Sequence, residues 1–397
     1  MKAGWKTVKL GERFKIRSSK RVLQSEWKTE GVPFYRGREV TILSKSGVVD
    51  NELFISEGHF KELSAKYGVP AAGDIILTAI GTIGNAYVVK PNDRFYFKDA
   101  SVLWITACAE YDSNFVNYWI KSDHFKGQLD SGNGATVDTL TLDKLKSIEI
   151  PLPPPAEQKR IVALLDEAFA GIDEVKAKAE ASIQSLGTLV VSEFQSLIDD
   201  KGFERKLLPE LASHTLGKML DKKKNTGTPR PYLRNVNVRW FEFDLSDIHE
   251  MPIRDEEAAR CQARKGDVLM CEGGYPGRCA IWCSDEPVFF QKALHRIRFN
   301  DKWMAEWFVN YMHSLDSSGK ISEFFTGTGI QHLTGETLSK LKIPVPPKSE
   351  IEAYVKKISA IRDKTNELAA SESAKVNALC ELKASLLTQA FAGELTA

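Results

Sequence analysis

The sequence predicts an α+β protein: two mixed, strand-rich units joined by two long coiled-coil helices, with one plan written twice along 397 residues. Three observations lead there: an internal repeat, short apolar runs broken by turn residues, and two long helical patterns that each follow a proline cluster.

The repeat organises the chain, and internal repetition outranks any local signal. Gly73-Asp74-Ile75-Ile76-Leu77 matches Gly266-Asp267-Val268-Leu269-Met270 at an offset of 193. The same offset pairs Gly81-Thr82-Ile83-Gly84 with Gly274-Tyr275-Pro276-Gly277, and Ile150-Pro151-Leu152-Pro153-Pro154 with Ile343-Pro344-Val345-Pro346-Pro347. Nearer each start Pro33-Phe34-Tyr35-Arg36 meets Pro231-Tyr232-Leu233-Arg234 at 198, so the second copy lacks about five residues in between (198 − 193). A shared offset over so long a stretch marks a tandem duplication.

Each copy opens with a globular part, residues 1–150 and 200–343. Apolar runs such as 74–80, 86–89 and 101–106 alternate there with Gly, Asn and Pro turns, the pattern of short strands. Trp303, Trp307, Phe308 and Tyr311 fall at helical spacing and are expected in a core, as are Phe115, Tyr118 and Trp119. The prolines at 151–155 and 344–347 then break the backbone, because proline removes a donor and fixes φ.

A helix follows each break, within segments 151–199 and 344–397. Ile161, Leu165, Ala168, Ile172, Val175, Ala179, Leu186 and Leu189 recur at steps of three and four over 156–198. Tyr354, Ile358, Ile361, Leu368, Leu379, Leu382 and Leu386, with Thr365 in phase, do so over 349–391. That is a coiled-coil seam, and Ser349-x-x-Glu352 reads as a capping box for the second start. Each run would be roughly 60 Å long at 1.5 Å per residue. Their equal lengths make the helices partners for each other. Paired antiparallel, they would place the two globular parts at opposite ends about an approximate twofold axis, suited to two half-sites on duplex DNA. Because the two copies differ in sequence, the half-sites should differ too.

Composition narrows the function. Lysine and arginine number 54 against 53 acids, so any basic surface comes from local clustering. No apolar stretch approaches the length of a membrane span, and the opening MKAGWKTVKLGERF lacks the apolar core of a secretory signal; a cytoplasmic location is expected. Six cysteines form no C-x-x-C pair, which leaves reduced thiols packed as small apolar groups as the expectation and no metal site. A Walker loop, G-x-G-x-x-G, G-x-S-x-G and H-E-x-x-H are all missing, as is an N/D-P-P-Y/F segment. The chain is expected to supply no catalysis of its own.

PLPPPAEQKRIVALLDEAF at 151–169 resembles the opening of the helical region in specificity subunits of type I restriction-modification systems. LLTQAFAGEL at 386–395 is similar to the C-terminal ending of that family, and GDIILTAIGTIGN at 73–85 and GDVLMCEGGYPGRCAIW at 266–282 to strand-turn segments of its target-recognition domains. The resemblance covers essentially the whole chain. It implies a subunit that chooses an asymmetric, bipartite DNA target, binds two copies of an adenine-methylating modification subunit, and can also join ATP-driven restriction subunits. It implies that the helices are the docking surface, with Glu157, Gln158, Arg160 and Phe391 as partner contacts. S-adenosylmethionine, ATP and Mg would belong to the partners, with no cofactor in this chain.

Candidate DNA contacts follow from side-chain chemistry. Residues 205–240 hold nine Lys or Arg against Glu210 and Asp221, with Lys222, Lys223 and Lys224 in a run suited to phosphates. Arg36 and Arg38 follow one proline turn, and Arg234, Asn235 and Asn237 follow its repeat; arginine can fork onto guanine and asparagine onto adenine. Asn133 and Thr136 lie in a Gly-rich run equivalent to the one carrying Thr328, Gln331 and His332, and Tyr275 and Arg278 lie in the Gly273–Gly277 turn. For all of these the open alternative is structural: capping strands, closing tight turns or forming ion pairs. The competing reading of the whole chain is a coiled-coil scaffold that binds no DNA.

Overall fold

A computed structural model describes residues 5–129, 139–221, 225–327, 329 and 331–395. The chain divides into two compact units, residues 1–179 with 374–397, and residues 180–373. Each unit contains one globular copy and a part of each long helix.

The same sheet is built in both. In the first unit four antiparallel strands run in the order Ile16–Arg17, Val102–Ile105, Ile75–Thr78, Ala86–Val88. In the second, Ala212–Leu216, Leu294–Phe299, Val268–Cys271 and Cys279–Ile281 repeat that order. Ile75–Thr78, Val102–Ile105 and Val268–Cys271 are buried at every position. Both sheet faces are covered, which is why these strands read as continuous apolar runs rather than alternating ones. Ile75 and Leu77 pack with Phe115 and Trp119 on one face, and Ile76 and Trp104 with Val40 and Leu43 on the other. In the second unit Val268 and Met270 pack with Trp307 and Phe308, and Leu269 with Leu233 and Phe290.

A smaller sheet stands beside each large one. It pairs Val32–Tyr35 in parallel with Tyr96–Phe97, and Thr228–Leu233 in parallel with Val288–Phe290. The five-residue difference falls after this strand. The first unit places the helix Gly37–Ser46 there, whereas the second turns through a single short 3-10 helix, Asn235–Asn237.

The repeated Gly-Asp pair is a bracket. Gly73 N–H bonds Val89 O at 2.9 Å and Gly266 N–H bonds Trp282 O at 2.8 Å. Each aspartate is nearly inaccessible, 3% exposed at Asp74 and 2% at Asp267. Asp74 accepts from the Ala71 N–H, Trp104 Nε1 and the Ala107 N–H at 2.9, 2.8 and 2.7 Å. Asp267 accepts from the Arg264 N–H at 2.8 Å and from Arg298 Nε and Nη2 at 2.6 Å each. One frame thus closes on a neutral indole in the first copy and on a guanidinium in the second.

The long helices span Pro155–Lys201 and Ile351–Ala392. Proline suits the first helical position because that N–H lacks an intrahelical partner anyway. Pro151 itself sits within the strand Glu149–Leu152, opposite Thr7, so the backbone break comes after it. The second helix opens at Ile351, and Glu352 pairs with Lys356 at 2.7 Å instead of closing a capping box with Ser349. Within each unit the helices run antiparallel. Ile161 and Leu165 share a core with Leu387 and Phe391, and Lys383 Nζ meets Asp173 at 2.5 Å. Phe194 and Ile198 share a core with Ile351 and Val355, and Lys357 meets Glu193 at 3.7 Å.

His295, on the strand Leu294–Phe299, is a buried titratable group of the second sheet, 1% exposed. Burial first, and the neighbouring His214 second, push its pKa down from 6.5 to about 4. The unfolded chain therefore takes a proton near pH 6.5 and the folded chain only near pH 4. Its contribution to stability is complete above pH 6.5 and is lost on acidification through that window, approaching about 3 kcal/mol at the lower end. Thermal unfolding of His295→Gln should fall less steeply with pH between 6.5 and 4 than that of the parent; equal slopes would refute the assignment.

Candidate nucleic-acid interface

The loops at one edge of the large sheet are laced together by the same backbone bonds in both units. Ala79 N–H bonds Ser101 O at 2.9 Å and Leu140 N–H bonds Ala79 O at 2.7 Å. Their counterparts are Glu272 N–H to Ala293 O at 2.9 Å and Leu333 N–H to Glu272 O at 2.8 Å. An isolated bridge joins Ile80 to Thr139, and another joins Gly273 to His332, again 193 residues on. Three segments thereby converge in each unit: the turn after the central strand, the turn before the long strand, and the segment following the helical part.

In the second unit this junction gathers several expected contact residues. The Arg278 guanidinium stacks on Tyr275 at 3.9 Å and donates from Nη2 to Asn235 O at 3.1 Å. Asn235 Nδ2 donates to Gly273 O at 3.1 Å. His332 lies against Gly273 so closely that a Cβ there would stand 2.8 Å from its Nδ1. Gly274, at φ +80°, would bring a Cβ to 2.3 Å from Asn235 Nδ2. Gly274 needs glycine for its left-handed backbone, and at Gly273 a larger residue would have to displace the His332 ring. Tyr275 is 59% exposed at the tip, and Gln331 is exposed beside His332.

Other expected contacts have structural employment. Arg36 N–H and guanidinium both bond Glu39, at 2.8 to 3.1 Å, capping the helix Gly37–Ser46. At the repeat position, Asn237 is 2% exposed; its Oδ1 accepts from the Arg234 N–H at 2.9 Å, and its Nδ2 donates to Asp244 O and Asp247 O. Arg234 pairs with Asp247 at 2.5 Å. These three hold loops in shape, and Asn237 has no edge to offer a base. Arg38 is exposed and forks onto the equally exposed Glu52 at 2.9 and 3.1 Å. An exposed pair of this kind contributes little and opens readily, so Arg38 remains on offer to a ligand. Asn133, Thr136, Lys222, Lys223, Lys224 and Thr328 lie outside the described residues.

Of the residues expected to meet a partner, Gln158 and Phe391 are buried, whereas Glu157 and Arg160 stay partly exposed. Gln158 is fully buried; its Oε1 accepts from the Asp112 N–H at 2.8 Å, and its Nε2 donates to Glu110 O and Pro153 O at 2.9 and 3.0 Å. Phe391 is 3% exposed and meets the edge of Phe115 at 5.2 Å. Arg160 bonds Glu157 at 2.7 and 2.9 Å and Leu395 O at 2.6 Å. The E-Q-K-R segment and the chain's end fasten the helices to the first unit. Uncovered apolar side chains on the same helices include Val175 and Leu382 in the first unit and Leu189 and Leu368 in the second, each 41–46% exposed.

Burial pushes the Cys271 thiol up to about 11 and moves Cys279 upward as well, so both pack as apolar groups. Among the described residues no group of three or more His, Cys, Asp or Glu is placed to hold a metal ion. No described helix is long and apolar enough to cross a membrane.

Sequence reading passed over Glu272, Gln291 and Lys292, which line a cavity of about 560 Å³ at the same junction together with Leu220 and His332. The signal for them was the repeat itself: at an offset of 193, Glu272 stands where the first copy has Ala79.

The model of the type I restriction modification DNA specificity domain matches residues 2–185 and 217–378, and the chain belongs to that family. It is 32% identical over 164 residues to a putative type I restriction enzyme specificity subunit of Haemophilus influenzae, covering 41% of this chain and 40% of that protein. It is 26% identical over 309 residues to the EcoKI specificity subunit of Escherichia coli, covering 72% of this chain and 66% of that protein. The matches thus span less than two thirds of either relative. In fold it resembles a chain from a structure titled for complex assembly and conformational transition of the type I R-M system, with a TM-score of 0.78 at 18% identity, covering 100% of this chain and 99% of that one. The HsdS subunit of Thermoanaerobacter tengcongensis gives a TM-score of 0.54 at 19% identity, with 100% and 98% covered.

Proposed function

We propose that this chain is the DNA-reading subunit of a type I restriction-modification complex and carries no chemistry itself. Each unit reads one half of an asymmetric, split target. The exposed apolar positions on the helices dock two adenine-methylating modification subunits, and ATP-driven restriction subunits join that assembly. S-adenosylmethionine, ATP and Mg act in the partners, inside the cell where its DNA lies.

One observation carries this reading beyond family membership. A single backbone junction is built twice, and its side chains differ between the copies. Conserving a scaffold while varying what it presents is how one protein reads two sequences, since backbone contacts position and side chains specify. The test is the salt dependence of duplex DNA binding by the chain assembled with its modification subunits, against those subunits alone. Phosphate contacts make affinity fall steeply between about 50 and 200 mM salt. A steep fall that requires this chain supports the reading. DNA binding that is unchanged when this chain is left out points to a scaffold.

A further inference from the structure

We propose that the cavity bounded by Glu272, Gln291, Lys292 and His332 reads the major-groove edge of a C·G base pair in the half-site of the second unit. This rests on the DNA-reading function above and names the chemistry of one of its sites.

The cavity presents polar side chains that no other described residue engages. Glu272 is half-buried, yet its carboxylate bonds nothing among the described residues; the same holds for the side chains of Gln291 and Lys292. A carboxylate facing an open cavity with no protein donor is free to accept from a ligand. Two other carboxylates of the second unit are held by cations: Asp267 by Arg298, and Glu257 by Lys218 at 2.6 Å.

Glu272 and His332 are fixed by the backbone bonds that close the junction, from Glu272 N–H to Ala293 O and from Leu333 N–H to Glu272 O. Gln291 is held from the other side by its N–H to Leu233 O at 3.1 Å, and Lys292 by its N–H to Lys218 O at 2.8 Å. Leu220, 45% exposed, forms an apolar wall. Rigid backbone thus presents an acceptor-only group, a donor-only group and an amide that does both. A carboxylate accepts from the cytosine N4 amino group, and lysine donates to guanine O6 and N7. A C·G pair presents both, an amino donor on cytosine beside two acceptors on guanine, so a single pair engages both groups.

The first copy carries different side chains at these positions. Ala79 stands for Glu272, and Thr139 for His332. Between matching anchors, Lys98-Asp99-Ala100 replaces Gln291-Lys292. There Asp99 is already bonded by Arg21 Nε at 3.0 Å. The first unit has no acidic side chain at the Glu272 position, so it cannot read its half-site by the same pair of groups.

The experiment compares adenine methylation motifs in cells carrying the full complex with the parent chain, with Glu272→Gln, and with Lys292→Met. Glu272→Gln keeps the shape while removing the charge and turning one acceptor oxygen into an NH2 donor; Lys292 is exposed, so its loss spares folding. The parent should methylate a split motif. Each variant should relax or change one C·G position in one half-site, with discrimination there falling about tenfold or more, while the other half-site stays intact. A split motif that neither variant alters overturns this proposal and leaves the DNA-reading function standing. Absence of any split motif with the parent chain overturns that function.

Discussion

Asp74→Asn is expected to destabilise the first unit by about 3–5 kcal/mol, although it changes neither size nor shape. Asp74 Oδ2 receives both the Ala71 N–H and Trp104 Nε1, and Oδ1 receives the Ala107 N–H. An amide has one acceptor oxygen, so its NH2 group must face at least one of these donors. A buried donor left unmet costs its full desolvation, and two donors forced together cost more. Trp104 is itself stacked under the Arg17 guanidinium at 3.7 Å, so the disturbance reaches the sheet's outer strand. A calorimetric scan should show the melting of that unit lowered by roughly 10 °C. A shift of under two degrees would mean that the bracket is not what closes the repeat.

Leu368→Glu and Leu382→Glu are expected to abolish capture of modification subunits while leaving the fold intact. Leu368 is 42% exposed and Leu382 46%, and each belongs to the helix surface that the chain's own core leaves uncovered. Burying such a side chain against a partner contributes about 1.5–3 kcal/mol. Forcing an unpaired carboxylate into that interface costs several kcal/mol more. Affinity should fall by about two orders of magnitude or more at each site. Analytical ultracentrifugation of chain and modification subunit mixtures reads the outcome. Unimpaired assembly with either variant would move the docking surface elsewhere.

What the sequence disclosed, and what it hid, divides along a physical line. The duplication, the strands at 75–78 and 268–271 and both long helices were legible because periodicity and turn residues are local signals. The helices were expected over 156–198 and 349–391 and run Pro155–Lys201 and Ile351–Ala392. Side-chain roles were less legible, because they depend on which partner the fold brings near. Arg234 and Asn237 look like a recognition pair, and become a salt bridge with Asp247 and a loop cap. Gln158 looks like a surface contact, and its amide instead closes three backbone groups around residues 110–112 and 153. Glu272 is one acid among many in the sequence; the folded junction sets it beside His332, at the position where the first copy has Ala79.

The central claim is that one chain reads two different half-sites on DNA for a methylating partner. Sequencing the adenine methylome of cells with and without this gene, partners present and assembled, tests it most directly. The account predicts that removing the gene erases methylation at a motif of two short, unlike halves separated by a fixed gap. A methylome that is the same with and without the gene contradicts it.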